Sequence, residues 1–367
     1  MNDRNEDWLE SGIIARHIHL EEQLGDGDDG NSLSGWQCIN PWHRAIEREI
    51  AGAREHFDSS KYLYADQFPK IEQDFKSFHK TVDNATPERI FFGSASTQIL
   101  YLISAWMHNQ GVREIFYLAP AYHSLLFSMK MLGIRARPIN NRHPFEADFS
   151  LNLPDKKTII FITDPIWYAG IKIRPHVASE IGKWQATTGS IIVIDGSFQY
   201  LEWEGCAKND VSVFDPSSTL RIVCPTKQLM LHGYRASYVL TPERFYQEIS
   251  TLNSMIFASL SFETMALLHS TLNLIQHHQF PKKLMALASH RHGYLRQKGC
   301  IQASWQPDCG YFCFEELGEM TKQKTRNQIL MDGNYFGQSR YPNHHRINLL
   351  SPQIALLYGE VDINFCV

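Results

Sequence analysis

From Arg89 onward the chain alternates short apolar runs with amphipathic stretches. The runs are IFF at 90–92, IFYLA at 115–119, TIIFIT at 158–163, IIVID at 191–195 and LRIVC at 220–224. Each has the length and composition of a buried strand, and intervening stretches such as Tyr122 to Leu132 have helical character. Strands separated by helices predict an α/β domain with a mostly parallel sheet. Upstream, HRAIEREIAGAREHF at 43–57 is a further helical pattern. The stretch from about Glu22 to Ser34 is rich in Asp, Gly, Asn and Ser, which predicts a loop or mobile lead-in. After about Tyr238 the pattern is mainly helical through Gln279, then mixed, with strand-like pieces at GYFCF and HRINLL. This predicts a second, smaller α+β region.

Composition narrows the function classes. With 43% hydrophobic residues in 367 positions the chain can bury a large core. The formal net charge is −4, without a basic block of the kind that tracks nucleic acid. The acidic start MNDRNEDWLESG is unlike a signal peptide, and no apolar segment is long enough for a bilayer, so a soluble, cytoplasmic protein is expected. The seven cysteines, Cys38, Cys206, Cys224, Cys300, Cys309, Cys313 and Cys366, lack disulfide-framework or zinc spacing and read mostly as small buried hydrophobes. The histidine pairs 277–278, 290 with 292, and 344–345 have no carboxylate or cysteine partners at ligand spacing, so no metal is expected.

In open α/β sheets ligands sit beyond the carboxyl ends of the strands, so the residues after each apolar run carry the chemistry. RIFF leads into Gly93, Ser94, Ala95, Ser96 and Thr97 ahead of a helical pattern. That turn either cradles a phosphate on free backbone N–H groups or caps a helix. The run IFYLA ends at Pro120, Ala121 and Tyr122, where an aromatic ring can cover a planar ligand or join the core. Asp195 follows four apolar residues. A buried carboxylate there needs a cation or hydrogen-bond donors, and a protonated pyridine nitrogen, a salt bridge or a helix cap would each serve. LRIVC is followed by Lys227, with Arg235 eight positions on. Arg346 stands in the strand-like HRINLL, where a guanidinium can clamp a carboxylate or sit exposed on an edge.

In order and spacing these features resemble the fold type I pyridoxal 5′-phosphate (PLP) enzymes of aminotransferase class I/II, nearest in style to the histidinol-phosphate aminotransferase group. The resemblance runs over most of the chain. It covers Asn40-Pro41-Trp42, Tyr64-Ala65-Asp66, GSASTQ at 93–98, Pro120 to Tyr122, Thr163 to Gly170, Asp195, Pro225-Thr226-Lys227, Arg235 and the final HRINL. It implies a three-layer α/β/α large domain at 60–255, and a small α+β domain from 1–59 and 256–367. It also implies that Lys227 carries PLP as a Schiff base and moves protons, while Asp195 keeps the pyridine nitrogen protonated. By the same resemblance Ser96, Thr97 and Arg235 hold the phosphate, with Cys224 nearby, and Tyr122 stacks on the ring. Arg346 binds the α-carboxylate of an amino-acid substrate, and Tyr64 reaches the phosphate in a neighbouring subunit, making a homodimer with shared active sites.

The chain departs from that pattern at two places. Trp167 stands where the family has an asparagine that bonds the cofactor phenolate, and Phe198 where it has a tyrosine that does the same. Losing both donors should raise the imine pKa unless Tyr168, Tyr200 or Thr226 substitutes. Transamination, the commonest outcome in that family and the one that an α-carboxylate clamp at Arg346 suits, is the first expectation. Elimination or cyclisation of a modified amino acid in specialised metabolism is the alternative, and a PLP-binding protein without activity a third reading. Trp36, Trp42, Trp167 and His123 are the expected walls of the substrate pocket.

Overall fold

The computed structural model describes residues 32–354 and Leu357, apart from 147, 207–210, 303, 327 and 339. The first element, α1 (His43–Arg54), buries Ile46, Ile50 and Ala53. Helix α2 (Pro69–Asp83) follows, opened by a proline in its first turn. The chain then alternates: β1 (Arg89–Gly93), α3 (Ser96–Asn109), β2 (Glu114–Leu118), α4 (His123–Met131), β3 (Arg135–Pro138), β4 (Ile159–Thr163), α5 (Pro175–Thr188), β5 (Ile191–Asp195) and β6 (Thr219–Val223). The short α6 (Pro225–Gln228) leads to β7 (Ser237–Thr241). These seven strands form one sheet in the order β1-β7-β6-β5-β4-β2-β3. Strand β7 is antiparallel to both neighbours, and the rest run parallel.

The predicted α/β class with a mainly parallel sheet is what forms. The five apolar runs become β1, β2, β4, β5 and β6, and β4 is buried along its whole length, as a strand covered on both faces must be. Two strands escaped the pattern. Strand β3 reads RARP and lies at the sheet edge, half exposed, so it has no apolar run to display. Strand β7 was absorbed into the helical reading that began at Tyr238.

Three helices follow: α7 (Glu243–Ile256), α8 (Phe262–Gln276) and α9 (Phe280–Gln297). Helical structure thus continues well past Gln279, because Pro281 fills the first turn of α9 and its apolar positions face inward. A four-stranded antiparallel sheet, β10-β11-β9-β8, closes the small region, from β8 (Ile301–Gln302), β9 (Phe312–Leu317), β10 (Met331–Asp332) and β11 (His344–Asn348). Helices α1 and α8 share one apolar cluster with the large sheet, whereas α9 and β9 share another with Trp167 and Phe198. Among the described residues no helix is long and apolar enough to cross a membrane.

The expected loose lead-in over Glu22–Ser34 lies outside the described residues as far as Asn31. Its end is not loose: Ser32, Leu33 and Ser34 are buried and run beside β11. The Asn348 N–H donates to the Leu33 carbonyl (2.7 Å), Ile39 N–H to that of Leu350 (2.7 Å), and Met331 N–H to Ser34 Oγ (2.9 Å). These bonds satisfy backbone groups that burial would otherwise leave unpaired.

The two regions are joined at Gly170. Its φ is +64°, a left-handed conformation that suits glycine, and a Cβ would collide with the backbone carbonyls of Cys309 and Phe312. That close approach lets the Gly170 carbonyl accept the amides of Asp308 (2.8 Å) and Cys309 (3.1 Å).

Candidate active site

A cleft opens beyond the carboxyl ends of the parallel strands. Strand β1 delivers Ala95, Ser96 and Thr97 to it, β4 delivers Thr163, β5 delivers Asp195 and Ser197, and β6 delivers Cys224, Thr226 and Lys227. Tyr122, Trp167, Phe198 and Arg235 also line it, as sequence reasoning expected, together with Trp36 and His232. Strands β5 and β6 are parallel neighbours, with Asp195 opposite Ile222, so the carboxylate and the lysine five residues on fall at the same end of the sheet.

Asp195 is 6% exposed. Its Oδ1 accepts hydrogen bonds from Ser197 Oγ (2.5 Å) and Ser197 N (3.2 Å). Burial raises its pKa above the ordinary carboxylate value despite those bonds, and Lys227 opposes the rise only weakly. The Lys227 amine is pulled down to about 8, first by burial, and Arg235 and Arg346 add to the effect. Its Nζ sits 3.5 Å from the centre of the Trp36 ring. A lysine drawn down so far is an effective amine nucleophile and proton carrier near neutrality.

Helix α3 places Ser96 at its first position, with Ala95 in extended conformation as the cap. Arg235 Nη2 donates to Thr97 Oγ1 (3.3 Å), which brings a guanidinium to the helix N-terminus. Arg235 has a φ of +53°, held by the turn that follows the buried Leu231. Cys224 Sγ lies 3.0 Å from Thr226 Oγ1 and accepts from Ser237 Oγ (3.3 Å). Backbone N–H groups, two hydroxyls and an arginine make a cradle for a phosphate dianion. The donor set fits PLP: an amine at one end, an anion cradle, and a buried carboxylate whose charge calls for a cation. Tyr122 caps α4, and its ring stands edge-on to Trp167 at 5.4 Å.

Four expectations are corrected. Arg346 is not on the cleft wall: it is 1% exposed, donates to the Ser34 carbonyl (2.5 Å) and packs against Trp36, Phe312 and Phe336. Tyr168 does not reach the cleft, because its hydroxyl bonds His143 Nε2 (2.6 Å). Tyr200 is drawn away as well, donating to Asp83 Oδ2 (2.5 Å). Of the expected walls only Trp36 and Trp167 line the cleft; Trp42 packs on Phe280 instead, and His123 lies beside Tyr122. Thr226 does line it. Tyr64 caps a short 3-10 turn, stacks on Tyr62 at 6.0 Å and is absent from the wall of its own chain's cleft.

His232 was missed. It lines the cleft buried beside the Trp36 backbone, and burial followed by the charges of Lys227 and Arg235 holds its pKa well below the ordinary value. Its position five residues after Lys227 was the available signal.

Residues 28–353 match the family model of aminotransferase class I and II. No curated protein sequence matches the chain at a significant level. Several solved structures share its fold. A methionine aminotransferase from Escherichia coli has a TM-score of 0.75 at 14% identity, covering 97% of each chain. An aromatic aminotransferase from Pyrococcus horikoshii has a TM-score of 0.73 at 15% identity, covering 92% of this chain and 95% of the other. A probable N-succinyldiaminopimelate aminotransferase from Thermus thermophilus has a TM-score of 0.73 at 14% identity, covering 95% and 98%. At such identities the likeness speaks for the fold, which is that of fold type I.

Proposed function

Because the chain belongs to the aminotransferase class I and II family and is a transferase, we propose that it transfers the amino group of an amino acid, with PLP held in this cleft by Lys227. The observation that carries the reading is the placing of a buried carboxylate, raised in pKa and making no ion pair among the described residues, and a lysine amine, lowered in pKa, at the ends of adjacent strands. When bound, PLP supplies an electron sink for the carbon that carries the reacting amine.

The chain's own residues divide the work. Lys227 would hold the cofactor through its Nζ, and that amine, when free, would take and return the proton at the carbon bearing the reacting amine. Asp195 accepts the hydrogen bond of a pyridinium, with Ser197 fixing the orientation of its carboxylate. Ser96, Thr97 and Arg235 hold the phosphate, and Tyr122 covers the ring. Trp167 and Phe198 bring apolar surface where the family places polar donors. Of the groups that would replace those donors, Tyr168 and Tyr200 are engaged elsewhere, and Thr226, on the cleft wall, would be the candidate donor to the cofactor's phenolate oxygen. Neither the family match nor the structural neighbours favour elimination or cyclisation over amino transfer.

The position of Tyr64, on the surface beside the 70%-exposed Tyr62, supports a homodimer in which Tyr64 serves the partner's cleft. The test of the function is an absorption spectrum of the purified protein, with borohydride reduction and peptide mapping to locate the attached cofactor. A yellow protein labelled at Lys227, bleached by an amine donor with release of a carbonyl product, is the expected result. A label elsewhere, or a donor consumed without carbonyl product, would overturn it.

A further inference from the structure

Arg235 holds a backbone conformation that an L-residue adopts only under constraint. Its φ is +53° and its ψ 60°, in the left-handed region. Its guanidinium, at the end of an exposed side chain, nevertheless reaches Thr97 Oγ1 at the N-terminus of α3. A long side chain in solvent has many rotamers, so its aim depends on where the backbone launches it. The launching turn leads directly into β7, whose first residue, Ser237, pairs with Gly93 at the end of β1.

That turn is held from behind by two helices. Thr264, 1% exposed in the first turn of α8, donates from Oγ1 to the carbonyls of both Arg235 (3.2 Å) and Tyr234 (3.3 Å). The helix cap directs the proton. Thr264 N–H donates to Ser261 Oγ (3.0 Å), and with the Ser261 hydroxyl donating to Thr264 Oγ1 (2.8 Å) the Thr264 proton is left for the two carbonyls. From α1, Glu47 Oε2 accepts the Tyr234 hydroxyl (2.6 Å), and Arg54 Nη2 donates both to that hydroxyl (3.3 Å) and to Glu263 of α8 (2.8 Å).

We propose that Thr264 is a positioning residue for the anion cradle: by holding the left-handed turn it aims the Arg235 guanidinium at the α3 N-terminus, and so sets how strongly the cleft prefers a phosphorylated aldehyde to its unphosphorylated counterpart. The inference rests on the reading that Ser96, Thr97 and Arg235 hold the phosphate. Thr264 does not line the cleft, so it acts through Arg235. Without its hydroxyl the turn loses bonds that offset a disfavoured backbone, and the guanidinium is freed to leave Thr97.

The experiment measures, by absorbance titration of the full-length cofactor-free protein, dissociation constants for PLP and for pyridoxal, which lacks only the phosphate. The wild type is expected to prefer PLP. Thr264→Val, nearly the same shape without the hydroxyl, should narrow that preference about fivefold, the worth of one hydrogen bond, by weakening PLP while leaving pyridoxal unchanged. Thr264→Ser should restore it. In the Arg235→Gln background Thr264→Val should have no further effect, because the group it positions is gone.

A threonine that only stabilised the fold would weaken both aldehydes alike. That result, an unchanged preference in Thr264→Val, or a loss that persists in the Arg235→Gln background, would overturn the inference. Thr264→Ala stands in if the valine variant fails to fold. A wild type that binds both aldehydes equally sinks the phosphate cradle and this inference with it. One that prefers PLP but releases no carbonyl product defeats the transfer reaction alone, and the titrations still decide the role of Thr264.

Discussion

Two buried aspartates near the large sheet have opposite surroundings. Asp83, the last residue of α2, lies 2.6 Å from the Arg221 guanidinium and takes a hydrogen bond from Tyr200, with His79 alongside. Burial pushes its carboxyl up, but the His79 bond and the Arg221 charge outweigh burial and hold it well below the usual range. Asp195 makes no ion pair among the described residues, and burial raises its pKa by more than the Ser197 bonds and the Lys227 charge lower it. The first is a completed ion pair inside the protein. The second faces the cleft without an ion pair, open to a cation that a ligand would bring, and that contrast separates a structural carboxylate from a functional one more sharply than burial alone.

The comparison breaks most visibly on turnover. Asp195→Asn should reduce the rate by roughly two to three orders of magnitude, as loss of a preorganised electrostatic partner does, while the melting temperature of the cofactor-free protein holds or rises. A fall in stability matching that of a broken ion pair would contradict the distinction. Asp83→Asn should do the reverse. Stranding the Arg221 charge costs about 3–5 kcal/mol, read by urea denaturation, and the folded fraction should keep its turnover.

Stability against pH sharpens the same point with opposite signs. A carboxyl held below its unfolded value, about 3.9, contributes stability above that pH and loses it as pH falls through the folded value, so the deficit of Asp83→Asn should shrink in acid. Asp195 is raised, so its ionisation opposes folding. The advantage of Asp195→Asn in the cofactor-free protein should therefore grow as pH climbs past about 4. Lys227, drawn down to about 8, should react with an added aldehyde progressively faster as pH rises through that value, measured by absorbance. The smallest effect belongs to Ser197→Ala, which keeps the backbone bond to Asp195 but removes the hydroxyl. It should weaken cofactor binding by about fivefold, the worth of one hydrogen bond, in a fluorescence titration.

Much of this site could be read from the chain because the fold places its chemistry locally. Ser96, Asp195 and Lys227 each follow an apolar run within a few residues, and a parallel sheet brings all such positions to one edge. Residues whose roles depend on distant partners were out of reach. Arg346 was visible as a cation in a strand, but nothing near it in sequence shows that Ser34, Trp36 and Phe312 enclose it. The Asp83–Arg221 pair joins a helix end to a strand 138 positions later, and neither local pattern hints at the other. Strand β3 was hidden for a simpler reason: an edge strand needs no apolar face on both sides, and its arginines look like a loop.

The junction at Gly170 also sets how closely the two regions can seat. Two amides of the small region, those of Asp308 and Cys309, converge on a single carbonyl of the loop that carries Trp167, and any side chain at position 170 would strike the carbonyls of Cys309 and Phe312. Gly170 is thus a keystone: the least bulky residue of the loop decides how tightly the Trp167 wall of the cleft is pressed against the small sheet.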